Sequence, residues 1–260
     1  PMKILIHSDA AQAVGCVGEL MVDRLQRLPD SVLGLATGAT MGAVYARVIA
    51  AQVAGQISFG RATSFNLDEY VGLSPSHPGS YWRYMQEHLF DHIDLPAERA
   101  HLPRGDAEDP AAEAARYESA IVAAGDIGFQ LLGLGSNGHI GFNEPTSSLA
   151  SLTRIKTLTR STREANSRYY AQLDDVPRLA ITMGIGTIMR ADEVVLLAYG
   201  AAKAKAVAAL IEGPVSAACP ASILQMHRNV TVVIDEAAAA NLTLRAYYDE
   251  VHPKGGAALV

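Results

Sequence analysis

The sequence predicts one three-layer α/β domain over residues 1–260, built on a mainly parallel sheet, and three observations carry that prediction. Apolar, β-branched runs of strand length recur along the chain, and helical patterns separate most of them. A length of 260 residues with 49% hydrophobic and 18% charged positions is enough to bury one large core. Strands that alternate with helices imply crossover connections, which place helices on both faces of a parallel sheet.

The strand-like runs fall at residues 3–7, 32–36, 62–67, 129–134, 179–182, 194–198 and 230–235. Between the first two, residues 9–28 place Ala13, Val17, Leu20, Met21, Arg24, Leu25 and Leu28 at three- and four-residue steps. That spacing lines one helix face, with Ser8 or Asp9 as its N-cap. Residues 41–53 and 202–211 carry similar patterns. Residues 72–80, GLSPSHPGS, read as a turn-rich loop between the third strand and a helix, a natural place for a lid. The alanine clusters at 111–115 and 237–240 are ordinary helix-forming composition, and no repeat of fixed period interrupts the pattern.

A formal net charge of -6 and a pI near 5.7 argue against a general nucleic-acid or membrane-surface binder. No apolar run approaches the roughly 20 residues that span a bilayer, and PMKILIH lacks the basic-then-apolar layout of a signal peptide. A cytoplasmic location is therefore expected. Cys16 and Cys219 match no zinc-ligand spacing and read as two reduced thiols. His88 and His92 lie one helical turn apart, but Leu89 stands where a zinc protease motif needs glutamate, so no metal is expected.

The densest stretch is LLGLGSNGHIGFNEP, residues 131–145, where a buried strand runs into a glycine-rich turn followed by His139 and Glu144. Ligands bind at the carboxyl ends of strands in open α/β sheets, so a titratable pair there is a candidate site. Gly133, Gly135 and Gly138 match G-x-G-x-x-G, yet HIGFNEP is no clean helix start and no acid stands near Leu158 to hold a ribose. The dinucleotide reading fails on that context. Ser136 is not in a nucleophile elbow either, because Leu134 occupies the first glycine position.

Two further turns carry chemistry. In GLATGATMGAVY, residues 34–45, Thr37, Gly38, Ala39 and Thr40 sit between a strand end and a helix start. Backbone N–H groups and threonine hydroxyls in that place suit a phosphate, although a plain strand-to-helix turn reads the same way. The Gly-Lys-Ser/Thr ending of a nucleotide triphosphate loop is absent. In FNLDEYVG, residues 65–72, Asp68 and Glu69 are adjacent carboxylates. Their repulsion favours a raised pKa and a proton carrier near neutrality; the competing possibilities are solvated loop acids, or one acid capping a neighbouring helix. Positive charge gathers at Arg154, Lys156, Arg160, Arg163, Arg168, Lys203 and Lys205, a potential anion-binding wall in which Arg168 or Lys203 meets a phosphate, with a solvated face the default for most of them.

Taken together, LGLATGATMGAVY, FNLDEYVGL, GLGSNGHIGFNEP and SLTRIKTLTRSTREANSRYY resemble the glucosamine-6-phosphate deaminases of the sugar-phosphate isomerase type, almost end to end. The resemblance implies a modified Rossmann-like fold, no organic cofactor, a small sugar-phosphate partner, and conversion of glucosamine 6-phosphate and water into fructose 6-phosphate and ammonia. It implies that Asp68 moves a proton between C2 and C1, that His139 opens the pyranose ring, and that Glu144 orients and charges the imidazole. Thr37, Gly38, Ala39 and Thr40 correspond to the phosphate loop, Arg168 and Lys203 to its cationic partners, and Glu69 to a further substrate contact.

Asn137 departs from members that place an aspartate beside the histidine, and an amide cannot raise imidazole basicity as a carboxylate does. Glu144 must then supply more of that effect. Some members form hexamers activated by N-acetylglucosamine 6-phosphate, and Arg154 and Lys156 resemble positions of that effector site; a homo-oligomer is one expectation. Two rival readings share the pocket: a 6-phosphogluconolactonase, against which the FNEP ending argues, and a non-catalytic sugar-phosphate sensor, which needs no proton carriers such as Asp68, His139 and Glu144.

Overall fold

The computed structural model describes residues 2–167 and 170–256. Its centre is a seven-stranded parallel sheet formed by β1 (Met2–His7), β2 (Val32–Leu35), β3 (Thr63–Asn66), β5 (Ala100–His101), β6 (Phe129–Gly133), β9 (Glu193–Ala198) and β10 (Val230–Asp235), in the order β1-β10-β9-β6-β2-β3-β5. A second sheet, of three antiparallel strands, sets β8 (Leu179–Thr182) between β4 (Asp68–Tyr70) and β7 (Arg154–Thr157).

Helices cover both faces of the parallel sheet, as its doubly buried strands require. α1 (Ala10–Arg27) begins where Asp9 accepts a hydrogen bond from Gln12 N, the expected cap, and packs beside α2 (Met41–Val53). Met41 of α2 approaches Gly133 on one face of the sheet. On the opposite face, Tyr117 of α4 (Pro110–Ala123) stands edge-on to Phe65, with ring centroids 5.7 Å apart. The shorter helices are α3 (Tyr81–His88), α5 (Arg160–Ala165), α6 (Ile185–Met189), α7 (Ala204–Ile211) and α8 (Arg245–Val251). One apolar core runs the width of the parallel sheet, and a smaller one around Tyr70, Leu73, Phe142, Leu158 and Ala180 underlies the antiparallel sheet.

Six of the seven expected strands lie in the parallel sheet. The exception is residues 179–182, whose sequence LAIT has strand character but whose partners, β4 and β7, run antiparallel to it. β4 leads the chain there: after Leu67 donates to Leu35 O, the strand swerves out of the parallel sheet and Asp68 pairs with Thr182. Among the described residues no helix is long and apolar enough to cross a membrane.

The strand order places the site. β2 pairs with β3 on one side and with β6 on the other, so the chain progresses in opposite directions from this pair. A crevice opens outside the carboxyl ends of two such strands. The Thr37–Thr40 turn and the glycine-rich loop after β6 both emerge at its mouth.

Candidate active site

A cavity of about 350 Å³ occupies that crevice. Ala36 through Met41 line one wall, Gly133 through Asn137 with His139 another, Leu67 and Asp68 at the entry to β4 the floor, and Lys203 the end. Gly38 adopts φ +108°, a left-handed conformation that only glycine takes at low cost, and its carbonyl accepts from Met41 N at 3.1 Å and from Tyr84 Oη at 2.7 Å. Thr40, at the cap position of α2, makes no side-chain bond to the helix N–H groups. Those groups, at the positive end of a 13-residue helix, suit an anion. Lys203 faces the same space with its Nζ 2.6 Å from Leu134 O, and burial holds its ammonium below the ordinary lysine range.

The loop after β6 is drawn tight by Gly138 N to Gly135 O, 3.0 Å, and Gly135 N to His139 O, 2.9 Å. This closure lays the His139 ring over Gly135, where a Cβ would stand 2.3 Å from the imidazole. Gly135→Ala therefore displaces the ring. We expect kcat to fall by about 10²-fold, the size of a roughly 1 Å misplacement. Inhibition by inorganic phosphate should be unchanged, because the Thr37–Thr40 turn is untouched.

Asn137 bridges His139 and Glu144. Its Nδ2 donates to Glu144 Oε2 at 2.8 Å, and its Oδ1 lies 2.6 Å from His139 Nδ1. A carboxylate only accepts, so the amide nitrogen must face Glu144 and the amide oxygen must face His139. An amide oxygen also only accepts, which puts the imidazole proton on Nδ1 and leaves Nε2 as the basic nitrogen. Glu144 Oε2 itself is 3.5 Å from Nδ1, close enough to act as a charge. Burial pushes the Glu144 carboxyl up, but hydrogen bonds from His139, Thr162 and Asn137 outweigh it and hold the pKa at about 2. The asparagine thus relays Glu144 to the imidazole and selects its tautomer.

Asp68 projects from the first position of β4. Its Oδ2 is 3.5 Å from Thr182 Oγ1, which in turn accepts from Phe142 N at 3.1 Å. Burial, then the neighbouring Glu69, push the Asp68 carboxyl up to about 8. The carboxylate of Glu69 points to the other side of the strand and accepts from Tyr70 N, Tyr81 N and Trp82 N at 2.8, 3.0 and 2.9 Å. Burial raises Glu69 as well, against those three donors.

A raised acid has a stability signature. With a folded pKa near 8 against about 3.9 unfolded, the native state binds more protons between these values. The stability Asp68 contributes is full below pH 4 and is lost as pH rises toward 8. Removing the charge with Asp68→Asn should reverse this. Its stability relative to the parent should grow over that window by several kcal/mol, at about 1.4 kcal/mol per unit of displacement. Urea denaturation at pH 5 and pH 8.5 measures the difference, and equal gaps at both would contradict the burial of an ionisable Asp68.

The cavity gathers Thr37, Gly38, Ala39, Thr40, Asp68, Asn137, His139 and Lys203, with Glu144 directly behind His139. Three other expectations end elsewhere. Glu69 is a helix cap at α3 and does not line the cavity, which corrects its reading as a substrate contact. Arg154 donates to Asn143 Oδ1 at 2.8 Å, and neither it nor Lys156 lines the cavity. Arg168 lies outside the described residues. Of the other basic residues Lys203 alone among the described ones lines the cavity: Arg160 pairs with Glu164, Arg163 turns inward to the carbonyls of Val176 and Leu173, and Lys205 is exposed. His88 and His92 each bond a backbone carbonyl, and the described residues hold no cluster of three or more groups fit for a metal.

Sequence reasoning missed Tyr81, Ser161, Thr162 and Asn166, all of which line the cavity. Thr159, the N-cap of α5, was detectable as a threonine ahead of a short helical run, but nothing local marks its contact with Glu144, 3.2 Å away.

An anion-ready helix start, a half-buried lysine, and Asp68 and His139 around one cavity are the groups an acid–base enzyme for a small phosphorylated substrate needs. The chain belongs to the Glucosamine-6-phosphate isomerases/6-phosphogluconolactonase family, whose sequence model matches residues 8–233. It is 54% identical to the glucosamine-6-phosphate deaminase of Shewanella loihica over 250 residues, 96% of this chain and 93% of the relative. A solved monomeric glucosamine-6-phosphate deaminase superposes with a TM-score of 0.90 at 44% identity, covering 92% of this chain and all of the other. The 6-phosphogluconolactonase of Trypanosoma brucei, 21% identical with a TM-score of 0.73 over 94% of this chain and 99% of the other, shares the fold alone.

Proposed function

We propose that this chain converts glucosamine 6-phosphate and water into fructose 6-phosphate and ammonia, a step of amino-sugar breakdown in the cytoplasm. The observation that carries the reading is the placement of two separate proton devices, Asp68 and the His139–Asn137–Glu144 relay, around one cavity with an anion site at its end. A lactonase needs no group to carry a proton between two carbons, and a sensor needs no proton carrier at all.

The chemistry follows the geometry. The phosphate rests on the Thr37–Thr40 turn, with Lys203 and, in this reading, Arg168 as its cations, and that remote binding energy fixes the sugar. His139 Nε2 takes the proton of the anomeric hydroxyl and returns one to the ring oxygen, which opens the ring without net change of charge. Asp68, as carboxylate, removes the C2 proton while the aldehyde oxygen O1 gains a proton and the C2 ammonium gives one up, forming the enolamine; return of a proton to C1 then gives the C2 iminium of the ketose. Water adds at C2, and the C2–N bond breaks to release ammonia and leave the C2 ketone. Asp68 pushed toward neutrality is a better proton carrier than an ordinary carboxylate, since it must both take and give.

Incubating the pure protein with glucosamine 6-phosphate and measuring both products tests the reaction: equal amounts of ammonia and fructose 6-phosphate are expected, and no product above background sinks it. Regulation is a finer question. Arg154 and Lys156 project from the same face of β7, two residues apart, and are proposed as an effector contact in a homo-oligomer. Rate curves that are hyperbolic with and without N-acetylglucosamine 6-phosphate set that proposal aside.

A further inference from the structure

Glu144 is shared between two parts of the chain. Its Oε2 serves Asn137 and His139, while its Oε1 accepts from the hydroxyls of Thr162 and, at 3.2 Å, Thr159. The two threonines belong to the first turn of α5, where Thr162 N donates to Thr159 Oγ1 at 3.2 Å. Thr162 and Glu144 are each 5% exposed, so water has little access to their hydrogen bond. Nothing in the proton chemistry requires these hydroxyls, and of the two threonines only Thr162 lines the cavity.

We propose that Thr162, supported by Thr159, is a positioning residue that fixes Glu144 and thereby the tautomer of His139. With Oε1 held by the threonines, the carboxylate cannot turn, and Oε2 presents a single acceptor to Asn137. The asparagine then has one orientation, and His139 has one tautomer, with Nε2 basic. Without the α5 hydroxyls the Glu144 side chain can swing away from Asn137, and the amide, no longer held by its acceptor, can turn either end to the imidazole. Ser161 and Asn166 of the same segment line the cavity, so the element that walls the substrate in also sets the ring-opening base. The inference rests on His139 being that base, but its structural half stands independently.

The test replaces Thr162 with valine, which keeps the shape and removes the hydroxyl, and with serine, which keeps the hydroxyl. Imidazole ¹⁵N shifts read the tautomer with no substrate present. The parent and Thr162→Ser should show His139 protonated at Nδ1, and Thr162→Val should show a mixture of the two tautomers. In parallel, kcat should fall about tenfold in Thr162→Val with KM within about twofold, and serine should restore it. A single Nδ1–H tautomer in Thr162→Val overturns the proposal, whether or not kcat changes, as does a loss confined to KM. Thr162→Ala gives the same readouts should the valine variant fold poorly. Because the tautomer is read without turnover, an absence of deaminase activity in the parent would refute the catalytic reading and leave this measurement standing.

Discussion

Asp68→Asn is expected to lower kcat for glucosamine 6-phosphate by about 10³-fold, within the range that a positioned general base contributes. Inhibition by inorganic phosphate stays within about twofold, since the substitution leaves the Thr37–Thr40 turn and Lys203 unchanged. An amide of the same shape fills the place beside Thr182 but cannot accept the C2 proton, so binding survives and chemistry does not. The pH dependence has a definite sign. Asp68 must be ionised to act, and burial with Glu69 alongside holds it protonated up to about pH 8. The parent's kcat/KM therefore rises about tenfold per pH unit on approach to 8 and levels above it. Glu144, held at about 2, is ionised throughout and adds no limb in that range. A variant within tenfold of the parent would remove Asp68 from the mechanism.

His139→Gln is expected to lower kcat by about 10²-fold or more, and for a different reason. Glutamine can hydrogen-bond but cannot shuttle a proton, so the ring stays closed and Asp68 has no open chain to act on. The two variants separate through anomer exchange. Interconversion of α- and β-glucosamine 6-phosphate requires only ring opening and closing, which magnetisation transfer between the anomeric protons reports. Asp68→Asn should still catalyse it, and His139→Gln should not. The opposite pattern would exchange the two roles.

Much of this arrangement was written locally. The parallel sheet follows from β-branched runs spaced by helices, and the two turns at its carboxyl edge follow from glycines placed where strands end. Less was legible where distant segments choose partners. β5 is two residues long, too short for any periodic signal, and β4 is DEY, three residues with no apolar alternation. Residues 179–182 read correctly as a strand but join the second sheet, because strand character does not name a partner. The role of Glu69 was decided by the start of α3 returning 12 residues later with two free N–H groups. The clustered positive charge divides in the same way: Lys203 lines the cavity, whereas Arg160 takes the solvated ion pair that is the ordinary fate of such a residue and Arg163 is held by two carbonyls. Asn137, which as a bare substitution weakened the histidine, proves in three dimensions to be the link between His139 and Glu144.

The most direct test follows the hydrogen at C2. When [2-²H]glucosamine 6-phosphate is converted by the parent protein and the products are read by NMR, deuterium must leave C2. Part of it should appear at C1 of fructose 6-phosphate and the rest in solvent, with one ammonia released per ketose. Deuterium retained at C2 in a released sugar, or ammonia formed without ketose, would contradict a proton transfer through Asp68.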